Sequence, residues 1–231
     1  MLPRLLEIVD LFYPASCAAC GARAPEGLCP ACRSALAARS SVERPPGLGS
    51  TVSGWEGLRA AGPYSGAIRD MVLGLKSGKS MYAGPLAALM VAAAGNNPAF
   101  VVPRAVVPVP STRHKVARRG YNPASLLAGG VASLLKRPLL EALVMTRKTL
   151  DQDATPGHLR AGNVAGAFAV TRGMEIRGEV LLVDDVLTTG ATAEACREAL
   201  IEAGAWSVAV LVAARAELKH AARGNICKKS P

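Results

Sequence analysis

The chain has 231 residues, of which 50% are hydrophobic, 19% charged and 4% aromatic. That length allows one good-sized domain and a small appendage, and the composition is that of a soluble globular protein whose core must rest on Ala, Val and Leu. The longest apolar run, Pro85–Gly95, is too short to cross a bilayer and excludes membrane insertion, while a net charge of +10 and a pI near 9.7 suit anionic partners such as phosphates or nucleic acid, although an Arg-rich proteome gives the same balance.

At the N-terminus, Leu2, Leu5, Leu6 and Val9 recur at helical spacing, and Glu7 and Asp10 interrupt any signal-peptide core. This predicts a short amphipathic helix in a cytoplasmic protein. The next stretch, CAACGARAPEGLCPAC, carries two C-x-x-C pairs, Cys17 with Cys20 and Cys29 with Cys32. Two residues between thiolates let one tight turn present both sulfurs to an ion, and two such turns complete a tetrahedral structural zinc site with no position left open for catalysis. Cytosolic thiols stay reduced, so disulfides fit less well, and a thioredoxin-like redox motif needs only one pair. Zinc then folds a segment too small to fold alone.

The run ARSSVERPPGLGS is a linker, so residues 1–50 form an N-terminal helix, zinc ribbon and linker. Beyond it, Pro85–Gly95 predicts a core helix, and Ala105–Pro110, Gly166–Val170, Glu179–Val186 and Ser207–Ala214 predict strands. Helices are predicted over YNPASLLAGGVASLL, with Asn122 capping and Pro123 at the first position, and over ATAEACREALIEAG, with Gly204 ending it. Strands alternating with helices give a mostly parallel α/β sheet over residues 51–215, followed by a basic tail, 216–231. Cys196 is read as buried packing, His114 and His158 as surface residues, and Cys227 has no readable role.

The sharpest signal is VLLVDDVLTTGAT, Val180 to Thr192: a buried strand ending in two adjacent acids, then a Gly/Thr turn that opens a helix. Like charges side by side at a strand end repel and are costly to desolvate, so a ligand or ion must compensate them. After Val186, the residues Leu187, Thr188, Thr189, Gly190 and Ala191 would gather backbone N–H groups around a phosphate at the helix N-terminus, and Thr188, Thr189 and Thr192 would add hydroxyls. Ionised Asp184 and Asp185 only accept hydrogen bonds and need donors, which the vicinal hydroxyls of a ribose supply. The stretch lacks the lysine of a Walker A loop. A plain acidic turn capping a helix explains one aspartate, but not acids, threonines and glycine together.

This stretch resembles the phosphoribosyl-pyrophosphate (PRPP) binding motif of type I phosphoribosyltransferases. With the four-cysteine knuckle, VVPVPSTRHKVARRGYNPASLLA, TRKTLDQ, RAGNVAGAF and the closing VAAR, it resembles the ComF competence-protein family over roughly Leu5 to Arg215. The family pattern R-G-F-N-Q-A is here RGYNPA, and Ser77 in GLKSGKS stands where an aromatic is common; Gln152, Arg160 and Asn163 keep their order.

The resemblance implies a zinc ribbon followed by a type I phosphoribosyltransferase fold. PRPP with magnesium would bind at Val183, Asp184, Asp185 and the turn to Thr192, and a pyrophosphate loop would run through Val109, Pro110, Ser111, Thr112 and Arg113. Arg147 and Lys148 would lie on a mobile hairpin over the leaving group. It implies phosphoribosyl transfer with release of pyrophosphate, with Asp184, Asp185, Arg113, Arg147 and Lys148 as the catalytic set. The alternative is a non-enzymatic DNA-uptake factor that uses PRPP or a nucleotide as a regulatory ligand. There the basic residues from Arg113 to Arg119 would meet single-stranded DNA, alongside a helicase-type ATPase. Nothing in the sequence names the acceptor or separates the two.

Overall fold

Alternation along the apolar runs builds the central sheet. In β6 (Gly178–Leu187), Leu181 and Val183 enter one core while Val180 and Leu182 enter another on the opposite face. In β7 (Ala205–Arg215), Ala209 and Leu211 join the first core and Val208, Val210 and Val212 the second. Strands buried on both faces read as continuous hydrophobic runs, and parallel central strands have that character.

The computed structural model describes residues 16–24, 27–38, 41–42, 55–146 and 166–216. Across the sheet the order is β1 (Ser41–Val42), β2 (Trp55–Ala60), β7, β6 and β3 (Ala105–Pro108). β2, β7, β6 and β3 run parallel, and β1 is antiparallel to β2 with Ser41 opposite Ala60. Ser41 and Val42, inside the stretch read as linker, therefore extend the edge of the sheet.

The helices are α1 (Pro30–Ala37), α2 (Gly66–Lys76), α3 (Ala83–Ala94), α4 (Pro98–Val101), α5 (Arg113–Arg119), α6 (Pro123–Leu135) and α7 (Ala191–Glu202). The cap foreseen for α6 is present: Asn122 Oδ1 accepts from the Ala124 N–H at 3.2 Å and Pro123 is the first helical residue. α2, α3 and α6 cover one face of the sheet. α7 and a small antiparallel hairpin, β4 (Leu143–Met145) with β5 (Phe168–Val170), cover the other.

The chain leaving α6 runs along the outer edge of β3, where the Val106 N–H donates to Pro138 and the Leu140 N–H to Val106, both at 2.9 Å. The connection from β3 thus travels outward over one face, and the connection from β6 travels inward to β7 over the other. Between the carboxyl ends of β3 and β6 the topology reverses, which is where open α/β sheets bind their ligands.

The parallel sheet flanked by helices, with a cysteine knuckle ahead of it, is the architecture the sequence implied. Its boundaries shift slightly: β3 stops at Pro108, β5 starts at Phe168, and α7 stops at Glu202 with Gly204 following at a φ of 103°. β2, β4 and α5 appear in addition. The N-terminal helix, Arg147, Lys148, Gln152, His158, Arg160, Asn163, Cys227 and the tail beyond residue 216 lie outside the described residues. Among the described residues no helix is long and apolar enough to cross a membrane.

Candidate functional site

The last rung joining β3 to β6 is the Val109 N–H, which donates to the Val183 carbonyl at 2.9 Å. Beyond it the two strands part. β6 continues to Leu187, paired only with β7, so that Asp184 faces Val212 and Leu187 faces Arg215. The acids therefore sit on the rim of the crevice at the switch point.

The pleat sends Asp184 and Asp185 to opposite faces, and each finds different company. Asp185 Oδ1 pairs with Lys76 Nζ at 3.0 Å, and both side chains are largely covered. Lys76 is the last residue of α2, on the face that α2 covers. Asp184 lies toward α7, where its charge adds to burial in pushing the Cys196 thiol up. Its Oδ1 accepts the Asp185 N–H at 2.7 Å. Burial, then the Asp185 charge, pushes the Asp184 carboxyl up to about 8, against the opposing pull of the Asp185 N–H and Lys76. Near neutral pH the pair thus holds one proton and one ammonium partner, and the repulsion that the sequence posed is relieved in this way.

The turn after the acids opens α7. Gly190 is the N-cap of α7 at a φ of 85°, a conformation that a side chain at this position would strain. Thr189 Oγ1 accepts from the Ala191 N–H at 3.4 Å, while Thr188, Thr189 and Thr192 are exposed. The first N–H groups of any helix lack an intrahelical acceptor and carry the positive end of its dipole. α7 opens with its hydroxyls beside such a position.

Across the crevice, Pro110 and Ser111 are half-buried and Thr112 is buried, with its Oγ1 accepting the Lys115 N–H at 3.3 Å to cap α5. Arg113 is exposed at the first position of α5, and His114 is exposed as expected. Two neighbouring side chains hold this loop in place. Asn122 Nδ2 donates to the Val109 carbonyl at 2.9 Å, and the Tyr121 hydroxyl donates to the Leu75 carbonyl at 2.6 Å. The loop after β3, the end of α2 with Lys76, and the acids are thereby tied together.

The knuckle brings its four cysteines to one point. The sulfurs of Cys17, Cys20, Cys29 and Cys32 all lie within 4.8 Å of one another, and those of Cys20 and Cys29 are 3.8 Å apart. Four sulfurs at about this spacing fit around one tetrahedral zinc with Zn–S bonds of about 2.3 Å. Burial pushes the Cys17 thiol up, but N–H donors from Cys29, Ala19 and Cys20 outweigh it and leave the group at about 6. Hydrogen bonds with the Cys20 and Cys29 sulfurs push Cys32 up to about 12. A ready thiolate at Cys17 beside a Cys32 thiol held protonated is a set whose full ionisation calls for a dication.

Residues 8–44 match the family model of a double zinc ribbon domain. DNA utilization protein YhgH of Escherichia coli (strain K12) is 29% identical over 206 residues, covering 84% of this chain and 87% of its own. Competence protein F of Haemophilus influenzae is 36% identical over 118 residues, covering 50% of this chain and 52% of its own. The chain is a homologue of proteins named DNA utilization protein YhgH and Competence protein F. The resemblance read from the motifs is thereby borne out. A solved structure of the allosteric regulatory enzyme of purine biosynthesis aligns with 48% of this chain and 22% of its own at 26% identity and a TM-score of 0.34.

Of the residues singled out in the sequence, Val183 to Thr192 and Val109 to Arg113 come together at one crevice, and the four cysteines converge at another place. Cys196 is fully buried, as read. Lys76 was missed as a site residue. Its only sequence signal is a Leu-Lys pair at a helix end, which carries no chemistry until Asp185 is seen beside it.

Proposed function

We propose that the crevice between the ends of β3 and β6 binds PRPP, or a nucleoside 5′-phosphate, with magnesium. The observation that carries this reading is a single surface with donors at one side and acceptors at the other. The α7 turn from Thr188 to Thr192 offers N–H and hydroxyl donors to a 5′-phosphate. Asp184 and Asp185 offer acceptors on either face of the strand end, so a ribose lying across it meets one carboxylate with each vicinal hydroxyl. The loop from Pro110 to Arg113 supports an anionic group at the anomeric carbon, with Arg113 as its charge.

Transfer would break the bond from the anomeric carbon to pyrophosphate and form one to an acceptor amine. Charge gathers on the leaving group while the sugar becomes cationic. A protein serves such a step chiefly by positioning the parts and neutralising anions. Asp184 and Asp185 fix the ring through its hydroxyls, and the loop at Pro110–Arg113 steadies the departing anion. Magnesium would supply further charge neutralisation at the leaving group; two acids, one holding a proton near neutral pH, fit a cation that comes largely with its substrate. Arg147 and Lys148 belong to this proposal as closing charges. Calorimetry with PRPP and magnesium tests the binding, and pyrophosphate release across a panel of nucleobases tests the transfer. Heat of binding without release supports a regulatory ligand, and no binding at all refutes the reading.

The names of the relatives favour a second role for the same site. DNA utilization and competence support a chain that works with DNA; control of that work by the nucleotide site is the second proposal. The exposed Arg113, Lys115 and Arg118 along α5 suit the phosphates of a single strand.

A further inference from the structure

The knuckle and the acid-bearing crevice are joined by one aromatic ring. Tyr82 ends a short 3-10 turn, Ser80–Tyr82, between α2 and α3. One edge of the ring faces the knuckle: a Cβ built on Gly27 would stand 3.6 Å from Tyr82 Cδ1 and 3.1 Å from Pro85 Cγ. The opposite edge faces α2: a Cβ built on Gly74 would stand 2.5 Å from Cε2 and 2.7 Å from Cδ2. The ring therefore fills the gap between two glycines that let it approach. Gly74 lies inside a helix, where glycine is destabilising relative to alanine, so this close approach is what the position gains.

Two residues beyond Gly74 is Lys76, whose ammonium holds Asp185. The Gly74 carbonyl accepts the N–H groups of both Ser77 and Lys79 at 3.0 Å, which closes α2, and the Leu75 carbonyl takes the Tyr121 hydroxyl. Leu28, Cys17 and Ala24 of the knuckle are buried in the same core as Met71, Val72 and Leu75 of α2. The end of α2 is thus pressed from the knuckle side by Tyr82 and pinned on the crevice side by Asp185.

We propose that Tyr82 is a positioning residue through which the zinc knuckle sets the placement of Lys76 against the acid pair. With zinc bound, Gly27 is fixed, the ring is held against Gly74, and the last turn of α2 presents Lys76 to Asp185. With zinc gone, the ring loses one wall, and the turn that carries Lys76 relaxes. By linkage, occupancy of the crevice also tightens the hold on zinc by the same factor. The part of this that concerns PRPP rests on the function proposed above.

The test uses the full chain, zinc-loaded and zinc-stripped, as wild type, Tyr82→Phe and Tyr82→Leu. The side-chain carboxyl carbon-13 resonances of Asp184 and Asp185 report the placement of Lys76 whether or not PRPP binds. Stripping zinc should move these resonances in wild type and Tyr82→Phe. In Tyr82→Leu they should already be displaced with zinc bound and move little further, while zinc content stays at one per chain. PRPP affinity with magnesium, where wild type shows it, should fall about fivefold or more on stripping and by a similar factor in zinc-loaded Tyr82→Leu. A bystander ring would change melting temperature alone. Resonances in zinc-loaded Tyr82→Leu that match wild type overturn the proposal, and so does an equal response to stripping in both. Absence of PRPP binding in wild type refutes the ligand assignment, and the resonances still decide the coupling. The decisive comparison is made with zinc bound, so it does not depend on how the stripped chain folds.

Discussion

The knuckle and the end of β6 each crowd together groups that repel once ionised, and they resolve the problem in opposite ways. At the knuckle, four sulfurs converge from two turns and an α1 cap; among the described residues, Cys17, Ala24 and Leu28 are buried in the main core, and Ala18, Cys29 and Cys32 pack against it. At β6, two carboxylates stand on a strand whose preceding residues are fully buried, and a proton and Lys76 already ease their repulsion. Four sulfurs need a dication to ionise together, whereas the acid pair is eased by a proton and a lysine of its own chain.

The largest effect should come from removing a knuckle ligand. Cys29 supplies a sulfur, caps α1 and accepts the Cys32 N–H at 3.5 Å, so Cys29→Ser removes several supports at once. Zinc content should fall well below one per chain. Loss of a metal site costs more than about 4 kcal/mol, which for a chain of this size lowers the melting temperature by roughly 10 °C or more. Full zinc content in the variant would break the contrast between the two regions.

Next in size is the acid pair. Asp184→Asn with Asp185→Asn keeps shape and removes charge. Hydrogen bonds to a charged group are worth about 1.5–3 kcal/mol each, so PRPP affinity should drop roughly ten- to a hundredfold or more. The melting temperature of the ligand-free protein should hold or rise, because burial and repulsion both disfavour the charged form. Equal PRPP affinity in both proteins would sink the clamp.

The sequence made the acid site legible because its chemistry is contiguous: strand, acids, turn and helix start all fall between Val180 and Thr192. The knuckle was legible for the same reason. What stayed hidden lies at long range or lacks periodicity. Lys76 reaches Asp185 only through folding, and nothing local marks it. β2 escaped because a register irregularity between Trp55 and Gly57, with Gly57 at a φ of 132°, disguises its alternation. α5 escaped because RHKVARR has no apolar stripe; its helix is set by the Thr112 cap and by Gly120 in the left-handed region.

An effect that is modest within any one pH unit separates the two regions by pH. The Asp184 carboxyl rises to about 8 in the folded protein and sits near 4 when unfolded. Between those values the folded state holds the extra proton, so its stability is full below about pH 4 and declines as pH climbs toward 8, by at most about 1.4 kcal/mol per unit. Asp184→Asn should flatten that slope. Binding of PRPP with magnesium near pH 7 should also release a proton, seen as a binding enthalpy that depends on the buffer. A flat profile in wild type would mean that Asp184 is already ionised and that the repulsion is relieved elsewhere.

The smallest expected effect concerns α5, which borders the crevice without belonging to the carboxylate pair. Lys115 and Arg118 are exposed there. Among the described residues, Trp206, 72% exposed, is the large aromatic most open to a base, but it stands at the start of β7, at the other end of the parallel sheet from α5. Without stacking nearby, single-stranded DNA held at α5 should bind weakly, through phosphates alone, with little sequence preference. Its affinity should fall steeply with salt, and each phosphate contact contributes about 0.7 to the slope of log affinity against log salt for a single strand. Lys115→Gln with Arg118→Gln should lower that slope by about 1.4, two such contacts, and leave PRPP binding and zinc content unchanged. A slope unaltered by the double substitution would move the nucleic-acid surface away from α5. Binding that resists salt would point instead to base stacking, and so toward the Trp206 end of the sheet.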